Sequence, residues 1–388
     1  MTVFLGDNII SALGFTSAEN FDNVKNGMSG LKFFPDRYDL PEPFMASEID
    51  NERLEAAFEM CLSVRGRKDV CGIKYSKMEK ACIVSITESL KSSNIDPSDK
   101  RVLFMLSTTK GNVFLLDENE QHGYEHNQLY LWRSAELISR FFGNTNNPLV
   151  VSNACISGAF ALVAAQRELR SGKYDYVIVV GADMLSKFIV TGFQSFKALS
   201  QEICRPFDAN RKGLNIGEAV ASVIMAERAE HKLRKDDIVL TAGAVRNDAN
   251  HISGPSRTGE GSYLALRSIL KGIDVYEIAF VCAHGTATPY NDEMESLSLT
   301  RAGLQNAPIN SLKGNFGHTL GAAGILESIV SMHAINDRTV LGTYGLETYG
   351  VTNLIRLAKN VEKTEKWRFV KMLSGFGGCN VAVLFTKY

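Results

Sequence analysis

Two stretches of this 388-residue chain repeat one pattern, and the repeat restricts the fold more than any other feature of the sequence. From Pro148, the short apolar run PLVVSN meets a turn and then CISGAFALVAAQRELRSGK, a helix with an apolar face that ends at Gly172 and Lys173. From Pro308, PINSLKGNFGHTL leads into GAAGILESIVSMHAINDR, again a helix that opens on Gly and Ala. The first turn delivers Cys155; the second delivers His318. Flanking runs at 101–108, 174–183, 238–248 and 278–286 are rich in β-branched residues and read as buried strands. Strand, helix and strand within about 35 residues is a βαβ unit. The expectation is an α/β protein built from a duplicated unit, with halves 1–237 and 238–388. Segments 184–237 and 339–364 read as less regular. No Pro/Ser-rich linker separates the halves, which points to one pseudo-symmetric body.

Composition excludes several classes. A formal net charge of −1 gives no global attraction to nucleic acid or to a membrane surface. No apolar run reaches the roughly 18 residues of a membrane span, and MTVFLGDNIISALG lacks the basic start of a signal peptide. The seven cysteines form no CxxC pair, so neither a metal site nor a disulfide framework is suggested. A reducing cytoplasm is the expected compartment. No phosphate-binding GxxxxGK[ST] loop is present.

Cys155 stands where a buried strand turns into a helix, with small neighbours that admit a substrate carbonyl. The positive end of the helix is expected to lower its pKa. His284, in HGTATPYNDEME, directly follows a strand. His318, in KGNFGHTLGAAG, has Lys313 before it and Glu327 on the helix after it. His122, His126, His231 and His333 lack such settings and read as ordinary surface or core residues.

HGTATPYND, KGNFGHTLGAAG, CRPFDANRKGLNIGEA, NHISGP and SGFGGCN occur in the order found in β-ketoacyl-carrier-protein synthases of the I/II type, which the chain resembles from about residue 3 to its end. The resemblance implies a five-layered αβαβα thiolase-like fold. It implies that Cys155 takes an acyl group from a carrier-protein thioester. His284 and His318 would then promote decarboxylation of a malonyl thioester, giving a 3-oxoacyl product. Backbone N–H groups of Cys155 and Phe376 would form an oxyanion hole, with Phe376 a gate between Gly375 and Gly377. Lys313 and Glu327 would orient His318. Thr286 and Thr288 would hold the pantetheine arm, with Asp292 supporting their loop. Lys74, Lys77 and Arg205 would dock an acidic acyl-carrier protein. No cofactor or metal is expected, because the 4'-phosphopantetheine arrives on the carrier. A homodimer is implied, with a heterodimer as the alternative.

Departures concern the substrate. Ile156 and Ser157 follow the nucleophile where the family usually has Ala-Thr, and Ile156 would place bulk beside the thiol. STTKGN, with Lys110, replaces a Gly-rich turn. Both hint at a polyene or other specialised lipid route. Cys379, where synthases usually carry Thr or His, reads as packing rather than as a thiolase-type second base. The rival to a catalytic enzyme is a chain-length-factor-like partner subunit, which typically loses the nucleophile this chain keeps.

Overall fold

The computed structural model describes residues 1–65, 72–252, 254 and 256–388. Cys71, and Ser253 and Pro255 of the NHISGP motif, lie outside the described residues. The first half supplies β1 (Thr2–Ser11), β2 (Val102–Ser107), β3 (Leu149–Val151), β4 (Tyr176–Asp183) and β5 (Ala219–Glu227). The second supplies β6 (Ile238–Asn247), β7 (Ile278–Cys282), β8 (Ile309–Asn310), β9 (Arg368–Gly375) and β10 (Cys379–Lys387). Their order is β3-β2-β4-β5-β1 in one half and β8-β7-β9-β10-β6 in the other. In each half the third, second and fourth strands are parallel, and the fifth runs antiparallel to both of its neighbours. The duplication in the sequence is therefore a duplication of topology. Thr2 and Val3 pair with Leu240 and Val239, which joins the halves into one ten-stranded sheet.

Five helices matter for the site: α1 (Lys77–Leu90), α2 (Ser157–Arg170), α3 (Glu260–Ile269), α4 (Pro289–Arg301) and α5 (Ala323–Asn336). On α5 every residue from Ala323 to Met332 is buried, as expected of a helix with no water-facing side. It packs on α2, and both helices touch strands of both halves. Glycines permit this closeness, since a Cβ on Gly158 would stand 2.8 Å from the Gly321 carbonyl oxygen. Outside, α1 covers β1, β4 and β5, while α3 covers β6 and β10. Helix, sheet, paired helices, sheet, helix is the expected five-layered order.

The irregular reading of 184–237 needs correction, because it contains a helix at Lys187–Ser195 and the strand β5. The AVASVIMAE run of β5 intersperses alanines and a serine among its β-branched residues, and it pairs with β1 and β4 on either side. Among the described residues no helix is long and apolar enough to cross a membrane. Cys61, Cys82, Cys155, Cys204, Cys282 and Cys379 are all free thiols.

Candidate functional site

Duplication determines where the chemistry collects. Cys155 lies between β3 and α2, and His318 occupies the equivalent connection between β8 and α5. Because α2 and α5 pack together, the two connections meet. His284 enters from the end of β7, and Phe376 lies between β9 and β10. The ligand atoms of Cys155, His284 and His318 all fall within 4.8 Å of one another. The imidazole rings meet edge to face at 5.1 Å.

Each group is held by backbone. Ala154 adopts a left-handed φ of 46°, which turns the chain sharply into the nucleophile. The Phe376 N–H is directed at the Cys155 sulfur. Gly375 must be glycine, since a Cβ there would stand 2.8 Å from the Cys379 sulfur and 3.1 Å from the Cys155 nitrogen. Gly377 has a φ of 83°, and its N–H donates to the Ile252 carbonyl at 2.7 Å. The His318 Nδ1 accepts the Leu320 N–H at 3.3 Å, which places the proton of the neutral ring on Nε2. That Nε2, like the His284 Nδ1, is buried without a protein partner. Unsatisfied buried polar atoms in a site of this kind suit groups that a substrate would bring.

Electrostatics set the charge of both rings and correct the expectation for the thiol. Burial, then Lys313 and Lys371, push His318 well below the ordinary histidine value; the same groups and His318 itself do so for His284. Both rings are neutral donors at neutral pH. Cys155, expected to be acidified by the helix end, moves the other way. Burial, reinforced by Cys379, pushes its thiol up to about 12, against the pull of Lys313 and the Phe376 N–H. Removing the thiolate from water outweighs the helix terminus.

Lys313 ion-pairs with Glu327, and Lys371 on β9 pairs with the other oxygen of the same carboxylate. Thr286 and Thr288 share a hydroxyl hydrogen bond of 2.8 Å beside the His284 loop. Asp292 accepts the N–H groups of Thr286 at 3.1 Å and Phe207 at 2.8 Å. Two assignments change. Ile156 is completely buried within the central core, so its bulk supports the helix start from beneath. Lys77 turns inward to Glu218 at 2.5 Å, a carboxylate that also caps the N–H groups of Ile49 and Leu185, and is therefore unsuited to docking. Lys74 is exposed but donates to the His122 carbonyl, and Arg205 faces Glu347 at 3.4 Å. Lys110 is exposed, with its N–H on Asp183. Cys379 is buried, as a packing role requires, yet its thiol also donates to the Phe376 carbonyl at 3.4 Å beside the nucleophile.

Several residues of the site were not singled out from sequence. Glu295, one turn beyond Asp292 on α4, binds the backbone N–H groups of His284 and Gly285; the i, i+3 spacing of the two carboxylates was the available signal. Asp183 accepts from the Thr109, Lys110 and Gly321 N–H groups, tying the end of β2 to the approach to α5. Phe193 and Phe196 pack on Phe376 at 5.7 and 5.3 Å, an aromatic cluster that only tertiary structure assembles.

Residues 3–231 match the β-ketoacyl synthase N-terminal domain, and residues 238–347 match the β-ketoacyl synthase C-terminal domain. The chain belongs to the β-ketoacyl synthase family. This synthase is accordingly an acyltransferase of the β-ketoacyl synthase type. It is 29% identical, over 100% of its length and 99% of the relative's, to a Schizosaccharomyces pombe protein assigned as a mitochondrial 3-oxoacyl-[acyl-carrier-protein] synthase. It is 31% identical to 3-oxoacyl-[acyl-carrier-protein] synthase 2 of Vibrio cholerae, where the alignment spans 62% of each chain. Among solved structures, a β-ketoacyl synthase from Burkholderia phymatum superposes with a TM-score of 0.85 at 24% identity, covering 100% of this synthase and 99% of that chain. At that identity the likeness speaks for the fold.

Proposed function

We propose that this synthase is a catalytic condensing enzyme that joins an acyl group on Cys155 to a malonyl unit delivered by acyl-carrier protein. The observation that carries the reading is the convergence of Cys155, His284 and His318 within 4.8 Å, with the Phe376 N–H aimed at the sulfur. In the first step the Cys155 sulfur attacks the carrier thioester. An acyl–sulfur bond forms, the carrier thiolate leaves, and the thiol proton goes to it. In the second step the bond from the malonyl carboxylate to Cα breaks and releases CO2, and its electron pair becomes an enolate. Two neutral imidazoles stabilise that oxygen as hydrogen-bond donors. The carbanion then attacks the acyl-Cys155 carbonyl, whose oxygen sits against the Cys155 and Phe376 N–H groups. Collapse releases a 3-oxoacyl-carrier protein and the Cys155 thiolate, which regains a proton.

On this reading Thr286 and Thr288 contact the pantetheine arm, Arg205 and Lys74 meet the carrier, and the chain itself needs no cofactor or metal. The Phe376, Phe193 and Phe196 cluster is the gate that opens for the acyl chain. A homodimer is supported by β3, an edge strand with Leu149 exposed, whereas β8 at the opposite edge is covered by Arg356–Ala358. The ketosynthase from Xenorhabdus doucetiae with a similar fold is paired with a chain-length factor; the intact set of Cys155, His284 and His318 supports the catalytic role for this chain. The test is intact-mass detection of an acyl adduct on Cys155 with a panel of acyl-carrier primers, followed by CO2 release from malonyl-carrier protein. Absence of any adduct across the panel overturns the reading.

A further inference from the structure

Strand β9 carries a second buried ammonium group for which the condensation as described has no use. Lys371 is completely buried and stands opposite Cys282 in the parallel pairing of β7 with β9, two residues before His284. Its Nζ donates to the carbonyl oxygens of Cys282 at 3.2 Å and Ala283 at 3.0 Å, and it ion-pairs with Glu327 on α5. Three elements that build the site therefore converge on one ammonium: β7 runs into His284, β9 runs into Phe376, and α5 follows His318. Lys313 takes the other oxygen of Glu327. One carboxylate between two ammonium groups leaves a net positive charge in a region closed to water, where charges act at full strength.

We propose that Lys371 is a positioning residue that fixes the strand end bearing His284 and gives the buried cluster beneath the imidazole pair its net positive charge, which favours the anionic carboxylate and enolate of a malonyl-type extender. The substrate half of this proposal rests on the function proposed above; the charge half does not. The charged groups acting on the two rings are Lys313 and Lys371, with Cys155 and each ring's partner ring close by; Glu327 lies between the two lysines, and Glu295 holds the His284 backbone N–H. Glu327 is held below the usual carboxylate range by the two lysines against the upward push of burial, and Lys371 is raised despite its burial by Cys282 and Glu327. Both therefore carry charge at neutral pH. Removing the Lys371 ammonium makes the Lys313–Glu327 pair neutral and eases protonation of both rings.

The experiment compares wild type, Lys371→Met, Lys371→Gln and Lys371→Arg by NMR titration of isotopically labelled histidines, with malonyl-thioester decarboxylation followed from pH 5.5 to 8.5. The titration midpoints of His284 and His318 are expected to rise in Lys371→Met and Lys371→Gln and to stay low in Lys371→Arg. At pH 6 decarboxylation should fall at least tenfold in the two uncharged variants, by a larger factor than at pH 8, and recover in Lys371→Arg. The Gln variant serves if Met at this polar position fails to fold. A folded uncharged variant whose histidine titrations superimpose on wild type overturns the proposal. Because the NMR arm uses no substrate, a midpoint shift in a protein inert toward malonyl thioesters supports the charge assignment and refutes the condensing function instead.

Discussion

Glu295 accepts the backbone N–H of His284 at 2.7 Å through one oxygen and that of Gly285 at 2.6 Å through the other. A single carboxylate on α4 thus fixes the two peptide groups that aim one of the imidazoles. Asn291 donates to the same carboxylate at 2.8 Å, and burial, then the nearby Asp292, push Glu295 up to about 7. Replacing Glu295 with Ala leaves two buried N–H groups without partners and lets the loop drift. Decarboxylation by Glu295→Ala is expected to fall about 10²-fold, the scale of an ångström of misplacement, while Cys155 still acylates. Glu295→Gln, which can satisfy only one of the N–H groups, should fall between. Malonyl decarboxylation and acyl-adduct formation, measured on the same preparations, separate these steps; unchanged decarboxylation in the Ala variant refutes the role.

The sequence made the Cys155 and His284 turns legible because each follows a short apolar run, and the His318 turn because glycines stand on both sides of it. It also showed the α2 and α5 repeat, since both helices open on small residues. It concealed β5, whose AVASVIMAE run intersperses alanines and a serine among its β-branched residues. It misled on the ionisation of Cys155, because a helix terminus can be read locally and burial cannot. Lys77 looked like a surface lysine for the same reason: its partner Glu218 lies far away along the chain. Lys371 sits in an apolar run, and only the convergence of β7, β9 and α5 shows what its charge meets.

The raised Cys155 thiol has a direct consequence for reactivity. With a pKa of about 12 the thiolate fraction changes tenfold per pH unit throughout the neutral range. Iodoacetamide labelling of Cys155 should therefore accelerate about tenfold per unit from pH 7 to 10, with no plateau. Peptide mapping by mass spectrometry, with Cys155→Ser as the control for the other cysteines, gives the rate. A plateau setting in near pH 8 would show an acidified thiol of the kind the helix end alone suggests.

Helices α2 and α5 depend on their glycines. A Cβ at position 324 would overlap the backbone of Gly158 and Ala159, which has no room to yield. Gly324→Ala should therefore destabilise the protein by about 1–3 kcal/mol, the usual range for overpacking a tight core. Gly192, in the outer helix Lys187–Ser195, has nothing within 4 Å of such a Cβ and an ordinary φ, so Gly192→Ala should be neutral or slightly stabilising. Denaturant midpoints for the two variants test the contrast, and equal midpoints would contradict it.

Edge strand β3 offers a simple check on assembly. Leu149 is 40% exposed at the open end of the sheet. A charge there opposes edge-to-edge pairing, so the proposed homodimer should dissociate in Leu149→Lys, shifting its sedimentation toward monomer. Identical sedimentation of wild type and variant would place the interface elsewhere.

Arg205 and Lys77 should part company when each is replaced. Arg205 keeps about a third of its side chain exposed and holds Glu347 loosely at 3.4 Å, so a negative carrier can compete for it. Arg205→Glu is expected to raise KM for carrier-delivered substrate about tenfold, leave kcat nearly intact, and have no effect on a free pantetheine thioester, which has no acidic protein surface to repel. Lys77 has its ammonium on the buried Glu218. Lys77→Met strands a carboxylate that also caps Ile49 and Leu185, so the cost should fall on folding, about 1–3 kcal/mol, with KM for carrier unchanged. Steady-state kinetics with the two substrate forms, beside denaturant melts of both variants, decides the assignment. A KM effect from Lys77→Met in a protein of wild-type stability would return that lysine to the docking surface.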